Sequence, residues 1–232
     1  GKHIQGEVKS LKHIFFSGGQ APEGFKTISE LAAEPLEQRY PRDFLTDKTC
    51  PSTDVSLVVS TSGTTGFPKF VEYPIAARFC SAKGRVKKYH YTSEDTFGIF
   101  GIGIGTAISA YFAAPLVGAK VVMMEHFDAE AALKLVQRER ISRIGSAPAL
   151  LTMMVRHPNL EKYDLSSLRM VEWGGAPLPY EDGLEIEQKL GCTLIQRYSS
   201  VDAGMGFESI PEEPIEIRLR YPGRPFAGTE IK

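Results

Sequence analysis

The sequence predicts an α/β fold, a largely parallel sheet flanked by helices. Three observations carry that prediction. Strand-like and helix-like segments alternate from Val117 to Tyr198, and strand–helix units in series imply parallel pairing. The helical segments are one-sided: Ala129, Ala132, Leu133 and Val136 recur at i, i+3, i+4 and i+7. Two loops rich in small residues, Gly174–Pro179 and Ser199–Gly204, follow strand-like runs. In open parallel sheets ligands collect outside the strands' carboxyl ends.

The elements follow in order. Leu11–Ser17 reads as a short strand stopped by Gly18-Gly19. Thr27 and Glu30 have the spacing of a capping box, which predicts a helix over 28–36. Pro35, Pro41 and Pro51 make 38–53 a loop. Asp54–Ser60 and Lys69–Tyr73 are strands, and Pro74 opens a helix whose Lys83, Arg85, Lys87 and Lys88 read as a solvated face. Thr96–Ala119 carries no charge over 24 residues. That length permits a membrane span, but its six interrupting glycines and prolines fit a buried strand and a buried helix, and no span is expected. Val117–Met124 is a strand, Asp128 caps a helix, Ile141–Ser146 is a strand, and Pro148 starts a helix to about His157. Leu168–Trp173 is a strand, Tyr180–Leu190 a helix closed by Gly191, and Cys192–Tyr198 a strand. The tail, Pro211–Lys232, is rich in Pro and Gly and reads as β-like. The expected organisation is a partial first lobe over 1–95, a second α/β lobe over 96–205, and the start of a β-rich subdomain over 206–232.

Composition narrows the function. The chain has 232 residues, 42% hydrophobic and 24% charged, with net charge −1. Those are the proportions of a globular protein, and that balance provides no field for nucleic acid or an anionic membrane. Three scattered cysteines, Cys50, Cys80 and Cys192, form neither a disulfide framework nor a zinc pattern. Together with the lack of a signal-like apolar run in GKHIQGEVKS, they predict a cytoplasmic protein.

The stretch Thr61-Ser62-Gly63-Thr64-Thr65-Gly66 carries the chemistry. Glycines let backbone N–H groups approach an anion, hydroxyls add donors, and Lys69 adds a point charge. The stretch is not a Walker A loop, which needs G-x-x-x-x-G-K-[ST]; here the glycines are three apart and Phe70 follows the lysine. It is also longer than an ordinary hairpin turn. The reading is a triphosphate-binding loop.

Ser60–Phe70 (STSGTTGFPKF) resembles the phosphate-loop motif of the acyl-adenylate-forming superfamily, which includes acyl- and aryl-CoA synthetases, luciferases and peptide-synthetase adenylation domains. Asp164–Pro179 (DLSSLRMVEWGGAPLP) resembles the strand and turn beside the adenine. Gln196–Asp202 (QRYSSVD) stands in the place of Tyr-Gly-x-Thr-Glu, and Tyr221–Lys232 (YPGRPFAGTEIK) resembles G-x-P-x-x-G-x-E-[VI]. The motifs come in the family's order. By this resemblance the chain corresponds to a middle piece of the large N-terminal domain of a longer enzyme, expected to be inactive alone.

The resemblance implies an AMP-forming acyl- or aryl-CoA ligase that uses ATP, Mg²⁺ and coenzyme A on a small-molecule carboxylic acid. It assigns Thr61, Ser62, Gly63, Thr64, Thr65 and Gly66 to the β- and γ-phosphates, and Lys69 to the loop's exit. Gly174, Gly175 and Ala176 line the adenine, Tyr198 stacks on it, and Ser199 lies beside it. Thr61, Lys69 and Asp202 carry the catalytic roles, with Asp202 as the Mg²⁺ ligand where the family has Glu. Val201 replaces a threonine that reaches the α-phosphate, and Ser199 or Ser200 is positioned to compensate. Phe100–Ala107 stands at the acyl pocket, with Gly103, Gly105 and Trp173 against a hydrophobic or aromatic acid; Trp173 also fits an adenine wall or a core position. Two alternatives stay open: an adenylation domain that loads a carrier-protein thiol, and a non-catalytic module that binds ATP or acyl-AMP.

Overall fold

A computed structural model describes residues 6–8, 10–11, 13–33, 35–61, 63, 66–100, 109–202, 204–226 and 228–230, with backbone alone at 37, 38 and 205. The chain divides into two compact units, Gly1–Pro51 and Ser52–Lys232. In the first, β1 (Phe15–Phe16) pairs in parallel with β2 (Lys26–Thr27), and α1 (Ile28–Ala33) follows. The capping box forms as expected: the Glu30 carboxylate accepts from the Thr27 N–H at 2.6 Å, and the Glu30 N–H donates to Thr27 Oγ1 at 3.0 Å. The expected strand over 11–17 keeps only its two phenylalanines. A short helix, α2 (Leu36–Arg39), begins just ahead of the expected loop.

The second unit holds two sheets. β3 (Val55–Ser60) and β4 (Phe70–Pro74) form an antiparallel hairpin. The larger sheet has seven strands: β5 (Thr96–Phe100), β6 (Lys120–Met124), β7 (Arg143–Ser146), β8 (Met170–Gly174), β9 (Thr193–Ser200), β10 (Gly204–Glu208) and β11 (Arg224–Pro225). Their spatial order is β6-β5-β7-β8-β9-β10-β11. The pairs from β6 to β9 are parallel, and β9-β10 and β10-β11 are antiparallel. The mostly parallel α/β architecture expected from the alternating segments is therefore present.

The helices cover both faces. α3 (Ile75–Lys88), a π-helical turn (Ser109–Ala113) and α4 (Ala114–Val117) bury Ala82, Ala110, Ala113 and Ala114 against Met170 and Ile195. α5 (Ala129–Glu139), α6 (Pro148–Val155), α7 (Tyr180–Leu190) and α8 (Ile215–Arg220) bury Leu133, Leu151, Ile186 and Leu219 against Val171, Trp173 and Leu194. The end signals work locally. Asp128 accepts from the Ala131 N–H at 2.8 Å, and Gly191 ends α7 in the left-handed region. Among the described residues no helix is long and apolar enough to cross a membrane.

Three expectations change. The strand foreseen from Val117 starts at Lys120, because Gly118 at φ +71° first ends α4. The tail forms α8 before β11, whereas its Pro and Gly content pointed to strand alone. The basic face of α3 is not simply solvated. Arg85 is fully buried against Glu208 at 3.0 Å, with Lys88 3.2 Å from the same carboxylate. A sheet face covers this helix, so its cations lie toward the core and need acids there.

Candidate nucleotide site

The carboxyl ends of β8 and β9 build a cavity of about 320 Å³ lined by Trp173, Gly175, Ala176, Pro177, Gln196, Arg197, Tyr198 and Ser199. This lies at the small end of ligand pockets, about 300–1,000 Å³. Five of the sequence-predicted residues thus meet in one place: Trp173, Gly175, Ala176, Tyr198 and Ser199. Gly174 lies just beneath. A Cβ there would come within 2.6 Å of the Arg197 carbonyl, so glycine is what allows β8 and β9 this close approach.

Two lining residues carry buried polar atoms without a protein partner, Trp173 Nε1 and Gln196 Oε1. Trp173 is 2% exposed and packs in the core while also lining the cavity. Trp173 and Gln196 are register partners across β8 and β9. Each strand therefore carries one buried polar side-chain atom unsatisfied by protein. Such groups are costly to bury, and both atoms are closed off from solvent. Tyr198 is 59% exposed, with its ring 6.0 Å from that of Phe207. That exposed aromatic face is free to stack on a flat ring.

A buried ion pair under the opposite face fixes these strand ends. Glu172 accepts from Arg197, from the Tyr91 hydroxyl and, at 2.9 Å, from Ser109 Oγ. Glu172 and Arg197 immediately flank Trp173 and Tyr198 in sequence, so the pair ties β8 to β9 beside the cavity. Burial pulls the Arg197 guanidinium down, but Glu172, and then Glu208, more than offset it and keep it charged. The sequence carried a signal for this pair. A charge inside the apolar runs MVEWG and TLIQRY of a doubly covered sheet has to be paired.

The glycine-rich loop sits on the hairpin. Its neck is closed twice: the Thr61 N–H donates to the Lys69 carbonyl at 2.9 Å, and the Lys69 N–H donates to Thr61 Oγ1 at 3.0 Å. Gly63 has φ +70°, and a Cβ on it would meet the Gly66 carbonyl at 2.9 Å. The Lys69 side chain is exposed. Ser62, Thr64, Thr65, Gly103 and Gly105 lie outside the described residues.

The hairpin and the β9–β10 turn meet away from the cavity. The Tyr73 hydroxyl, on β4, donates to the Val201 carbonyl. The Arg78 guanidinium, in the first turn of α3, lies 3.6 Å from the centroid of the Tyr73 ring. Next to Val201, the exposed Asp202 accepts from Ser200 Oγ. Thr61, Lys69 and Asp202 do not line the cavity. Among the described residues no cluster of three metal-ligating side chains occurs. A carboxylate such as that of Asp202 suits Mg²⁺, which takes one or two carboxylates with phosphate oxygens and water. Burial pushes the Cys192 thiol up to about 12, which removes it as a nucleophile. Sequence reasoning missed Tyr73, Arg78 and Arg197.

The sequence profile of a family described as AMP-binding enzyme matches residues 5–232. An indoleacetate–CoA ligase of Aromatoleum aromaticum is 32% identical over 186 residues, covering 78% of this chain and 35% of the ligase. A 4-coumarate–CoA ligase of Narcissus pseudonarcissus is 27% identical over 229 residues, covering 92% of this chain and 40% of the ligase. The amide bond synthetase McbA from Marinactinospora thermotolerans has a similar structure, with TM-score 0.75 and 27% identity, covering 97% of this chain and 43% of the synthetase. The chain thus spans well under half the length of each.

Proposed function

The chain belongs to the AMP-binding enzyme family, and from that premise we propose that it forms the nucleotide-binding core of an AMP-forming ligase. Its substrate in this reading is a hydrophobic or aromatic carboxylic acid, and coenzyme A takes the acyl group. The observation that carries the reading is the cavity at the carboxyl ends of β8 and β9, lined by Gly175, Ala176 and the exposed Tyr198. Adenine presents a flat face to Tyr198, ring nitrogens that accept, and an amine that donates. Two relatives are named for indoleacetate and 4-coumarate, which supports an aromatic acid.

In this reading the substrate carboxylate attacks the α-phosphorus of ATP. Acyl-adenylate and pyrophosphate form, and the thiol of coenzyme A then displaces AMP. The chain contributes position and charge. The Thr61 hydroxyl accepts from the Lys69 N–H and keeps its own proton to donate to a phosphate oxygen. Gly63 and Gly66 let the loop backbone approach the β- and γ-phosphates, and the Lys69 ammonium meets their charge. Asp202 would hold Mg²⁺, which would neutralise phosphate charge.

Carboxylate-dependent exchange of labelled pyrophosphate into ATP, measured on the complete protein, tests the reading. Exchange with aromatic acids is expected, followed by thioester formation when coenzyme A is added. No exchange across a broad panel of acids would overturn it. Val201, which cannot donate a hydrogen bond, favours a second reading as a non-catalytic ATP or acyl-AMP binder. The variant Val201→Thr separates the two, because exchange rises in a weakened enzyme and stays absent in a binder.

A further inference from the structure

Five arginines are buried in the described residues: Arg78, Arg85, Arg143, Arg197 and Arg218. Four have a carboxylate. Arg85 pairs with Glu208 and Arg143 with Asp95, while Arg197 pairs with Glu172 and Arg218 with Glu187. Arg78 is the exception. It is 9% exposed, makes no ion pair among the described residues, and its Nε has no hydrogen-bond partner. Burial pulls its guanidinium below the ordinary value, with the charge and hydrogen bonding of the Tyr73 hydroxyl opposing that effect. Stacking on an aromatic face attracts a cation but leaves its charge uncancelled. A buried, unneutralised cation is costly, and an anion from outside the protein would remove that cost.

The position of Arg78 identifies the anion. Arg78 follows β4, the strand that leaves the glycine-rich loop, and stacks on Tyr73 at 3.6 Å. Tyr73 in turn holds the Val201 carbonyl, next to Asp202. The charge therefore sits where the hairpin joins the turn that carries the candidate metal ligand. At that turn Val201 has no hydroxyl to offer a phosphate.

We propose that Arg78 is a positioning residue for the nucleotide's phosphates: its unpaired charge favours the triphosphate, and through Tyr73 it sets the Val201–Asp202 turn against the phosphate hairpin. The proposal deepens the nucleotide reading and rests on it.

Isothermal titration of the complete protein with Mg²⁺–ATP, inorganic pyrophosphate and adenosine tests it, using wild type, Arg78→Met, Arg78→Lys and Tyr73→Phe. Arg78→Met is expected to weaken Mg²⁺–ATP and pyrophosphate by about tenfold, a change of ~1.4 kcal/mol, with adenosine unchanged. Arg78→Lys recovers most of that loss, because it restores the charge. Tyr73→Phe weakens ATP and spares adenosine, because only the tie to the turn is lost. Equal losses for ATP and adenosine in Arg78→Met, or no loss for either, would overturn the proposal. If Arg78→Met lacks the wild-type circular dichroism spectrum, the lysine and phenylalanine variants decide by the same ratio of ATP to adenosine. A complete wild-type protein that binds neither ATP nor adenosine refutes the nucleotide reading itself, an outcome distinct from a failure at Arg78.

Discussion

The seven-stranded sheet and the β3–β4 hairpin are built from similar residues but held in different ways. Every residue of β5 and of β8 is buried, and the charge within β8, Glu172, is met by partners from β9, from the π-helical turn and from the segment after α3. The hairpin exposes apolar residues instead: Phe67 is 97% and Phe70 78% exposed, and Val55 and Val58 are about half exposed. A two-stranded hairpin is marginal alone. This one is tied at its base, where the Ile75 N–H donates to the Asp54 carbonyl at 3.0 Å and the Ala76 N–H to the Ser52 carbonyl at 2.9 Å, and by Tyr73 to Val201. The comparison teaches a division of labour. In the proposed reading the sheet supplies the floor for a flat ring, and the hairpin carries the stretch assigned to the phosphates.

Substitutions ought to separate stability from binding along that divide. The largest effect is expected from Arg197→Met, which leaves Glu172 buried without its cation. It should cost about 3–5 kcal/mol, read as a lower denaturation midpoint of the whole second unit. A loss under ~1 kcal/mol would mean that the network is not what fixes the floor. Tyr198→Ala comes next. Its ring is exposed, so the midpoint should hold, while adenosine and ATP should both weaken by the ~1–3 kcal/mol of base–aromatic stacking. Unchanged adenosine affinity would move the base out of the cavity.

Smaller changes sharpen the contrast. Gly63→Ala forces a side chain into a left-handed position with a carbonyl 2.9 Å from the new Cβ. It should cost about 1–2 kcal/mol locally and weaken ATP, while adenosine affinity and the sheet's midpoint stay put. A fallen midpoint would show that the loop stabilises the body after all. The mildest effect is that of acid. Burial pushes Glu208 up, but Arg85, then Lys88 and Arg197, hold it below its ordinary 4.5. Its folded pKa is thus depressed, so its contribution is complete above pH 4.5 and is lost as pH falls through the lower folded value. Thermal scans of wild type should show that acid-side loss, and Glu208→Gln should flatten it.

Much of the floor was legible because its signals are short-ranged. The capping box at Thr27 and Glu30, the cap at Asp128, the stop at Gly191 and the apolar face of α5 each depend on residues within about two helical turns. Glycines after a strand likewise announced the cavity at Gly175 and Tyr198. The tail misled because proline and glycine report where a chain turns and say little about the element beyond the turn; Ile215–Arg220 is a helix that its burial against Leu194 and Ile186 makes favourable.

Sequence alone determined the alternating parallel architecture, the anion-friendly composition of Thr61–Gly66 and the placing of Tyr198 at a strand end, since all three follow from local backbone preference and side-chain type. The tertiary structure alone decided which buried charges are answered. Arg85 finds Glu208 across 123 residues and Tyr73 reaches Val201 across 128, while Arg78 finds no acid among the described residues. Such pairings depend on distances that folding sets after the local elements exist, and no periodicity in the chain encodes them.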